Sequence, residues 1–233
     1  EKAVKREKMT AEEKDAALGR LKGTLNMEDF SDRDLVIEAA IENLDEKKKV
    51  FAGLDKVCPP HAILSSNTSC LSILDMASMT GRPDKVLGTH FFSPVPAMQL
   101  VEIIKTLVTS DETIAIAKSF CESIGKTTVL CQDAPGFIAN RLSMVYLAYT
   151  IRFLEQGMAT KEDIDKTMRL GLNHPMGPLE LSDFIGLDTI YYILSAMYDE
   201  LKDPLFAPPT MLKKMVTAGH LGRKTRKGFY DYT

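Results

Sequence analysis

A histidine and a glutamate, each inside a short apolar run, form the first chemically suggestive pair in this sequence. His90 sits near the end of Val86-Leu-Gly-Thr-His-Phe91, and Glu102 interrupts Leu100-Val-Glu-Ile-Ile104. The residues between the runs, Phe92 to Gln99, are too few for a parallel crossover, which needs about a dozen or more. The two runs are therefore predicted to be antiparallel neighbours. A turn symmetric about Pro96 puts His90 directly across from Glu102, where opposed Cβ atoms lie about 5 Å apart. A carboxylate at that distance holds one imidazole tautomer and favours the imidazolium, the arrangement of a general base acting on a hydroxyl. The plainer readings are a satisfied imidazole and a carboxylate on a solvent face. Two further polar groups stand out. Asn67-Thr68-Ser69 follows the apolar run Ala62-Ile-Leu-Ser65, where it reads either as a helix cap or as part of a site. Asn140, in Pro135-Gly-Phe-Ile-Ala-Asn-Arg-Leu142, reads either as an exposed polar residue or as a neutral donor where two domains meet, a common location for sites.

These groups need a scaffold, and the pattern around them supplies one. Short apolar runs at 35–39, 62–65, 86–91, 100–104 and 126–130 read as strands. They are interleaved with helical stretches at about 11–22, opened by a Thr10/Glu13 capping box, at 44–57, and from Ser110 to Gly125. That alternation means α/β with a largely parallel sheet, whose ligands bind beyond the carboxyl ends of the parallel strands. Residues 1–9 are charged and helix-compatible. From Pro135 the pattern is helical: about 135–156, 161–170 after Thr160, 178–186, 188–201, and a last helix from Pro208 or Pro209 to about 218. A short strand, Gly228 to Tyr232, is predicted to close the chain. The two parts are 1–132, an α/β domain, and 133–233, an all-α domain.

Composition narrows the function. The 233 residues carry 29 Lys plus Arg against 32 Asp plus Glu, a formal net charge of -3. So even a balance leaves no electrostatic footprint for nucleic acid or an anionic membrane. No stretch approaches the roughly 20 apolar residues of a transmembrane helix. Cys58, Cys70, Cys121 and Cys131 form no C-x-x-C, zinc pattern or disulfide framework, and read as reduced thiols in a cytoplasmic protein. No metal site is predicted.

Several segments together resemble the 3-hydroxyacyl-CoA dehydrogenase family, and within it the short, single-function bacterial branch. They are Ser66-Asn-Thr-Ser69, Gly88-Thr-His-Phe-Phe-Ser-Pro-Val-Pro96, Leu100-Val-Glu-Ile-Ile104, Asp133-Ala-Pro-Gly-Phe-Ile-Ala-Asn-Arg141, Asn173-His-Pro-Met-Gly-Pro-Leu-Glu-Leu181 and Lys227-Gly-Phe-Tyr230. The similarity runs in order along the whole chain. It implies an incomplete Rossmann-like sheet, the remainder of a dinucleotide-binding domain, followed by a helical substrate and dimerisation domain. It implies oxidation of the 3-hydroxyl of an acyl-CoA, such as 3-hydroxybutyryl-CoA to acetoacetyl-CoA, with NAD or NADP, in a homodimer. His90 would be the general acid/base and Glu102 its orienting partner. Ser69 would bond the reacting oxygen and Asn140 would hold substrate and the catalytic array. Ala39, Glu42, Lys47, Ser69 and Ser93 would lie by the cofactor.

The chain departs from the family pattern at three places. Ser93 stands where the family has Asn. Lys224-Thr-Arg226 stands where it has Lys-Thr-Gly, so that loop is expected to differ. The family's opening strand, G-x-G-x-x-G turn, helix and acidic second strand are not in this sequence, so the chain is expected to be N-terminally truncated. Two other readings stand beside the first: an inert dimerisation and substrate-docking fragment, and a dehydrogenase of free hydroxyacids.

Overall fold

The structure, a computed structural model, describes residues 4, 7 and 9–232. The charged stretch at 1–9 lies largely outside these residues. Five strands form one sheet in the order β1 (Leu35–Glu38), β2 (Ile63–Ser66), β3 (Val86–Phe91), β4 (Leu100–Lys105) and β5 (Thr127–Gln132). β1, β2 and β3 are parallel, β4 runs antiparallel to β3, and β5 is parallel to β4. The one antiparallel pair is the one demanded by the short Phe92–Gln99 connection. Its register places His90 opposite Glu102.

Helices cover both faces of β2, β3 and β4, which is why these strands are buried along their length rather than at alternate positions. On one face α2 (Leu44–Val57) and α3 (Ile73–Ala77) pack through Phe51, Leu54, Ile73 and Met76 onto Val36, Leu64, Val86 and Ile104. On the other, α4 (Asp111–Ser123) packs Ile114, Ala117 and Cys121 onto Ile63, Leu87, Val101 and Ile103. The N-terminal α1 (Ala11–Gly19) carries the predicted capping box but stops short of residue 22 and buries no residue. Asn67-Thr68-Ser69 does not cap α3; Ser72 does.

After β5 the chain is helical: α5 (Ala139–Glu155), α6 (Lys161–Gly171), α7 (Pro178–Ile185), α8 (Leu187–Leu201) and α9 (Thr210–Thr217) enclose a core of Leu147, Ile151, Leu179, Ile190, Leu194 and Leu212. Two sequence expectations need correction here. The long helix starts at Ala139, not Pro135, because Gly136 and Phe137 take positive φ of 76° and 49° and break the helical path. No strand forms at 228–232; Lys227 makes isolated bridges to Gly222 and Asp231, and the segment is tied down by a side chain instead. Buried Asp183 accepts the Phe229 and Tyr230 amides and the Tyr232 hydroxyl at 2.9–3.0 Å. Arg226 adopts the left-handed conformation common for glycine, at φ 58°.

Candidate active site

The carboxyl ends of β1, β2 and β3 and the amino end of β4 meet along one edge of the sheet, and the start of α5 comes down onto it. His90 is 5% exposed and Glu102 1%. His90 Nδ1 lies 2.7 Å from Glu102 Oε2. Phe92 and Phe137 flank the imidazole, with ring centroids 4.7 and 5.7 Å away. They fix the ring plane and keep bulk water from its faces. Nε2 has no hydrogen-bond partner among the described residues.

The other oxygen of Glu102 explains why a carboxylate is tolerated inside an apolar strand. Oε1 accepts the backbone N–H groups of Ile138 and Ala139 at 3.1 and 2.9 Å. These are among the donors that a helix start leaves unpaired, and the helix dipole favours an anion there. The turn at Gly136 and Phe137 that delays the helix is what aims them at β4. Burial alone would raise the Glu102 pKa; the His90 hydrogen bond and the two amides outweigh it, so the carboxyl sits below its ordinary value. Glu102 is thus a fixed anion behind the imidazole.

Ser69 is clamped by its backbone. Its N–H donates to Glu42 Oε1 at 3.0 Å, and its carbonyl accepts Asn140 Nδ2 at 3.3 Å. Its hydroxyl makes no hydrogen bond among the described residues. Thr68 Oγ1 also donates to Glu42 Oε1, at 2.5 Å. Asn67 crosses the strand ends, donating its N–H to the Glu38 carbonyl and accepting the Phe91 N–H on Oδ1. Cys70 follows Ser69, but burial and the nearby Glu42 push its thiol up to about 11, so it is not a thiolate nucleophile at neutral pH. A cavity lined by Cys70, Leu71, Ser72, Asp133, Pro135 and Met197 opens beside it, between the sheet and the helical half.

The structure brings His90, Glu102, Ser69, Asn140 and Glu42 to this edge. Ala39 and Glu42 lie in the exposed loop directly after β1. Lys47 is different: its side chain is 1% exposed, and its ammonium is held by Glu38 Oε1 at 2.7 Å and Glu42 Oε2 at 3.3 Å. It reaches the edge through Glu42. Ser93 is exposed in the β3–β4 connection, with no side-chain hydrogen bond among the described residues. Sequence reasoning missed Glu38 and Ser66. The signal for Glu38 was period-two alternation, since it shares the buried face of β1 with Val36.

Residues 1–134 match the model of the 3-hydroxyacyl-CoA dehydrogenase NAD binding domain, and residues 136–232 match that of the C-terminal domain of the same family. The chain belongs to the 3-hydroxyacyl-CoA dehydrogenase family. Among curated members, the 3-hydroxybutyryl-CoA dehydrogenase of Mycobacterium tuberculosis is 48% identical over 234 residues, covering 100% of this chain and 82% of the relative. The mitochondrial hydroxyacyl-coenzyme A dehydrogenase of Mus musculus is 48% identical over 200 residues, 85% of this chain and 64% of the relative. The crystal structure of (S)-3-hydroxybutyryl-CoA dehydrogenase PaaH1 from Ralstonia eutropha superposes with a TM-score of 0.96 at 42% identity, covering 100% of this chain and 82% of that one. Among the described residues, no helix is long and apolar enough to cross a membrane.

Proposed function

We propose that this chain interconverts 3-hydroxyacyl-CoA, in particular 3-hydroxybutyryl-CoA, and the 3-ketoacyl-CoA with NAD, and that His90 is its general acid/base. The observation that carries the reading is the buried 2.7 Å His90–Glu102 pair with Nε2 left free. With Glu102 accepting from Nδ1–H, the lone pair sits on Nε2, where it can take the substrate hydroxyl proton. The imidazolium so formed is stabilised by a carboxylate already fixed by two helix amides, so little reorganisation accompanies proton transfer. In the reverse direction the same nitrogen returns the proton to the alkoxide oxygen.

The residues present fit the nicotinamide end of the cofactor. The free Ser69 hydroxyl, the half-exposed Glu42 carboxylate and the open Ala39–Glu42 loop gather where the parallel strands end, the usual ligand edge of such a sheet. When bound, NAD supplies the hydride acceptor. Glu42, with Lys47 behind it, would hold the ribose side, and Ser93 would border it from the β3–β4 connection. The Ser69 hydroxyl would donate to the reacting oxygen. Asn140 holds the Ser69 carbonyl and keeps a second amide hydrogen and its oxygen for the thioester. In this reading residues 1–132 serve the dinucleotide, and residues 133–233 serve substrate and dimerisation.

Two further features extend the reading. On α5, Leu142 and Tyr149 are 67% and 64% exposed and lie two turns apart on one face. Tyr192 on α8 is 69% exposed. Apolar side chains exposed to this degree on the helical half suit a homodimer contact. The four unpaired cysteines suit a reducing compartment such as the cytoplasm.

The test is His90→Gln, assayed by NADH formation from 3-hydroxybutyryl-CoA. Loss of a general base is expected to lower kcat by about 10²–10⁴-fold. The Kd for NADH, read by fluorescence, should stay within about threefold, since the cofactor contacts lie on Glu42 and Ser69. Near-normal turnover would remove His90 from the chemistry. Turnover of acetoacetate as fast as acetoacetyl-CoA would favour the free-hydroxyacid reading.

A further inference from the structure

Behind Glu42 lies a buried ion cluster that neither the catalytic pair nor the cofactor contacts use directly. Glu38, the last residue of β1, is 5% exposed, and Lys47, in the first half of α2, is 1% exposed. Glu38 Oε1 accepts the Lys47 ammonium at 2.7 Å and the Ala40 N–H at 2.5 Å. Glu38 Oε2 accepts the Ser66 hydroxyl at 2.6 Å. The ammonium also reaches Glu42 Oε2 at 3.3 Å and the Ala40 carbonyl at 3.4 Å. Glu42 in turn receives the Thr68 hydroxyl and the Ser69 N–H on its other oxygen. One connected path therefore runs Ser66–Glu38–Lys47–Glu42–Ser69, from the last residue of β2 back to the loop that follows it.

Such a cluster is costly. Taking two ionised groups out of water carries a desolvation penalty that mutual attraction often fails to recover, so stability alone is a poor reason for it. Its geometry gives another reason. Lys47 is held between two carboxylates and is the only positive charge in the path, so it sets where Glu42 can sit. Glu42 itself has a half-exposed side chain on an exposed loop, where a carboxylate would otherwise sample several rotamers. Glu38 is locked by a strand hydroxyl and a backbone amide, and so supplies the fixed end.

We propose that Glu38 is a positioning residue for the reaction: through Lys47 it fixes the Glu42 carboxylate, and through Glu42 the Ser69 peptide that presents its hydroxyl to the reacting oxygen. The proposal rests on the reading that Glu42 and Ser69 face cofactor and substrate. Glu38 touches neither. Its effect is transmitted entirely through Glu42, and this separates a positioning role from a merely structural one.

The test is a double-mutant cycle in the purified enzyme with Glu38→Gln, Glu42→Gln and the double variant. It reads kcat and KM for 3-hydroxybutyryl-CoA and the Kd for NADH by fluorescence titration. Each single variant is expected to lower kcat/KM by about tenfold or more and to weaken NADH binding. The double variant should be no worse than Glu42→Gln alone, because one path has been cut twice. Glu38→Asp, which keeps the charge, should recover part of the loss. Fold effects that multiply in the double variant would overturn the proposal. So would a normal Glu38→Gln beside an impaired Glu42→Gln, which leaves the reading of the site intact. If Glu42→Gln itself leaves both kcat/KM and NADH affinity unchanged, the reading of Glu42 fails first and the proposal falls with it. Should Glu38→Gln not fold, Ser66→Ala, which removes one hydrogen bond from Glu38, takes its place in the cycle and is judged by the same non-additivity.

Discussion

Glu102→Gln is nearly isosteric, yet it should disable the enzyme by moving a proton from one ring nitrogen to the other. In the parent, Oε2 accepts from His90 Nδ1 at 2.7 Å while Oε1 accepts the Ile138 and Ala139 amides. A glutamine can keep its oxygen on the two helix amides, because those donors cannot turn away. Its NH2 group then faces Nδ1, which must become an acceptor. The ring proton moves to Nε2, the nitrogen that has to receive the substrate proton. Loss of general-base function corresponds to about 10²–10⁴ in kcat, or roughly 2.7–5.4 kcal/mol of barrier at about 1.36 kcal/mol per decade. Stability falls less. Hydrogen bonds to a charged group exceed neutral ones by about 1 kcal/mol each. The uncharged amide recovers part of that, being cheaper to bury. A loss of about 1–3 kcal/mol is the expected range.

The same substitution makes a pH prediction. The Glu102 carboxyl is held below its ordinary value of 4.5. A depressed carboxyl contributes stability that is complete above the ordinary value and disappears as pH falls through the depressed one. Unfolding free energy should therefore fall more steeply with acid in the parent than in Glu102→Gln below about pH 4.5. The assays are single-turnover NADH formation at saturating NAD, urea denaturation between pH 3 and 7, and nitrogen NMR of the His90 tautomer. A folded variant with kcat within threefold of the parent would refute the tautomer argument, as would a ring that still carries its proton on Nδ1.

Other outcomes follow from the same structure. Gly222→Ala should destabilise by about 3 kcal/mol or more, the sum of left-handed strain and overpacking: φ is 89° and an added Cβ would lie 2.3 Å from the Asp183 carbonyl oxygen. Unchanged thermal unfolding would show that this loop yields easily. Asp183→Asn should release the C-terminal segment, because an amide NH2 in place of one oxygen would face either the Phe229 amide or the Tyr230 amide and Tyr232 hydroxyl. Limited proteolysis after residue 226 reports it, and parental resistance would count against the tether. Tyr149→Glu puts a charge on the exposed α5 stripe. Sedimentation should show a shift toward monomer, and an unaltered dimer would move the interface elsewhere.

Much of the sheet and the His90–Glu102 pair was legible in the sequence because local constraints coincided. The Phe92–Gln99 connection is too short to cross over, so β3 and β4 had to be antiparallel, and symmetry about Pro96 then set the register. Alternating strand and helix patterns predicted the layers for a similar reason, since each apolar run had to be covered on both faces. What escaped depended on where distant pieces dock. The helix amides that neutralise Glu102 become available only because Gly136 and Phe137 leave the helical region, and Phe137 is not a residue whose type announces a positive φ. Sequence reasoning extended the helix through them and lost the second half of the carboxylate's environment.

The buried cluster failed to register for a different reason. Glu38 was passed over inside the apolar run 35–39 and Lys47 was read only as lying by the cofactor, since charged residues are ordinarily solvated. Periodicity argued otherwise. Glu38 is two residues from buried Val36 on a strand, and Lys47 shares a helical face with buried Phe51 and Leu54, four and seven residues on. Each placed an ionisable group on an apolar face, and the two faces belong to elements that must pack on each other, β1 and α2. Two opposite charges directed into one interface are tolerable only as partners. The pair could have been inferred from the two periodicities together, before any coordinate was known. A charged residue that falls in phase with an apolar face is therefore a stronger pointer to the machinery of a site than one that merely lies near a motif.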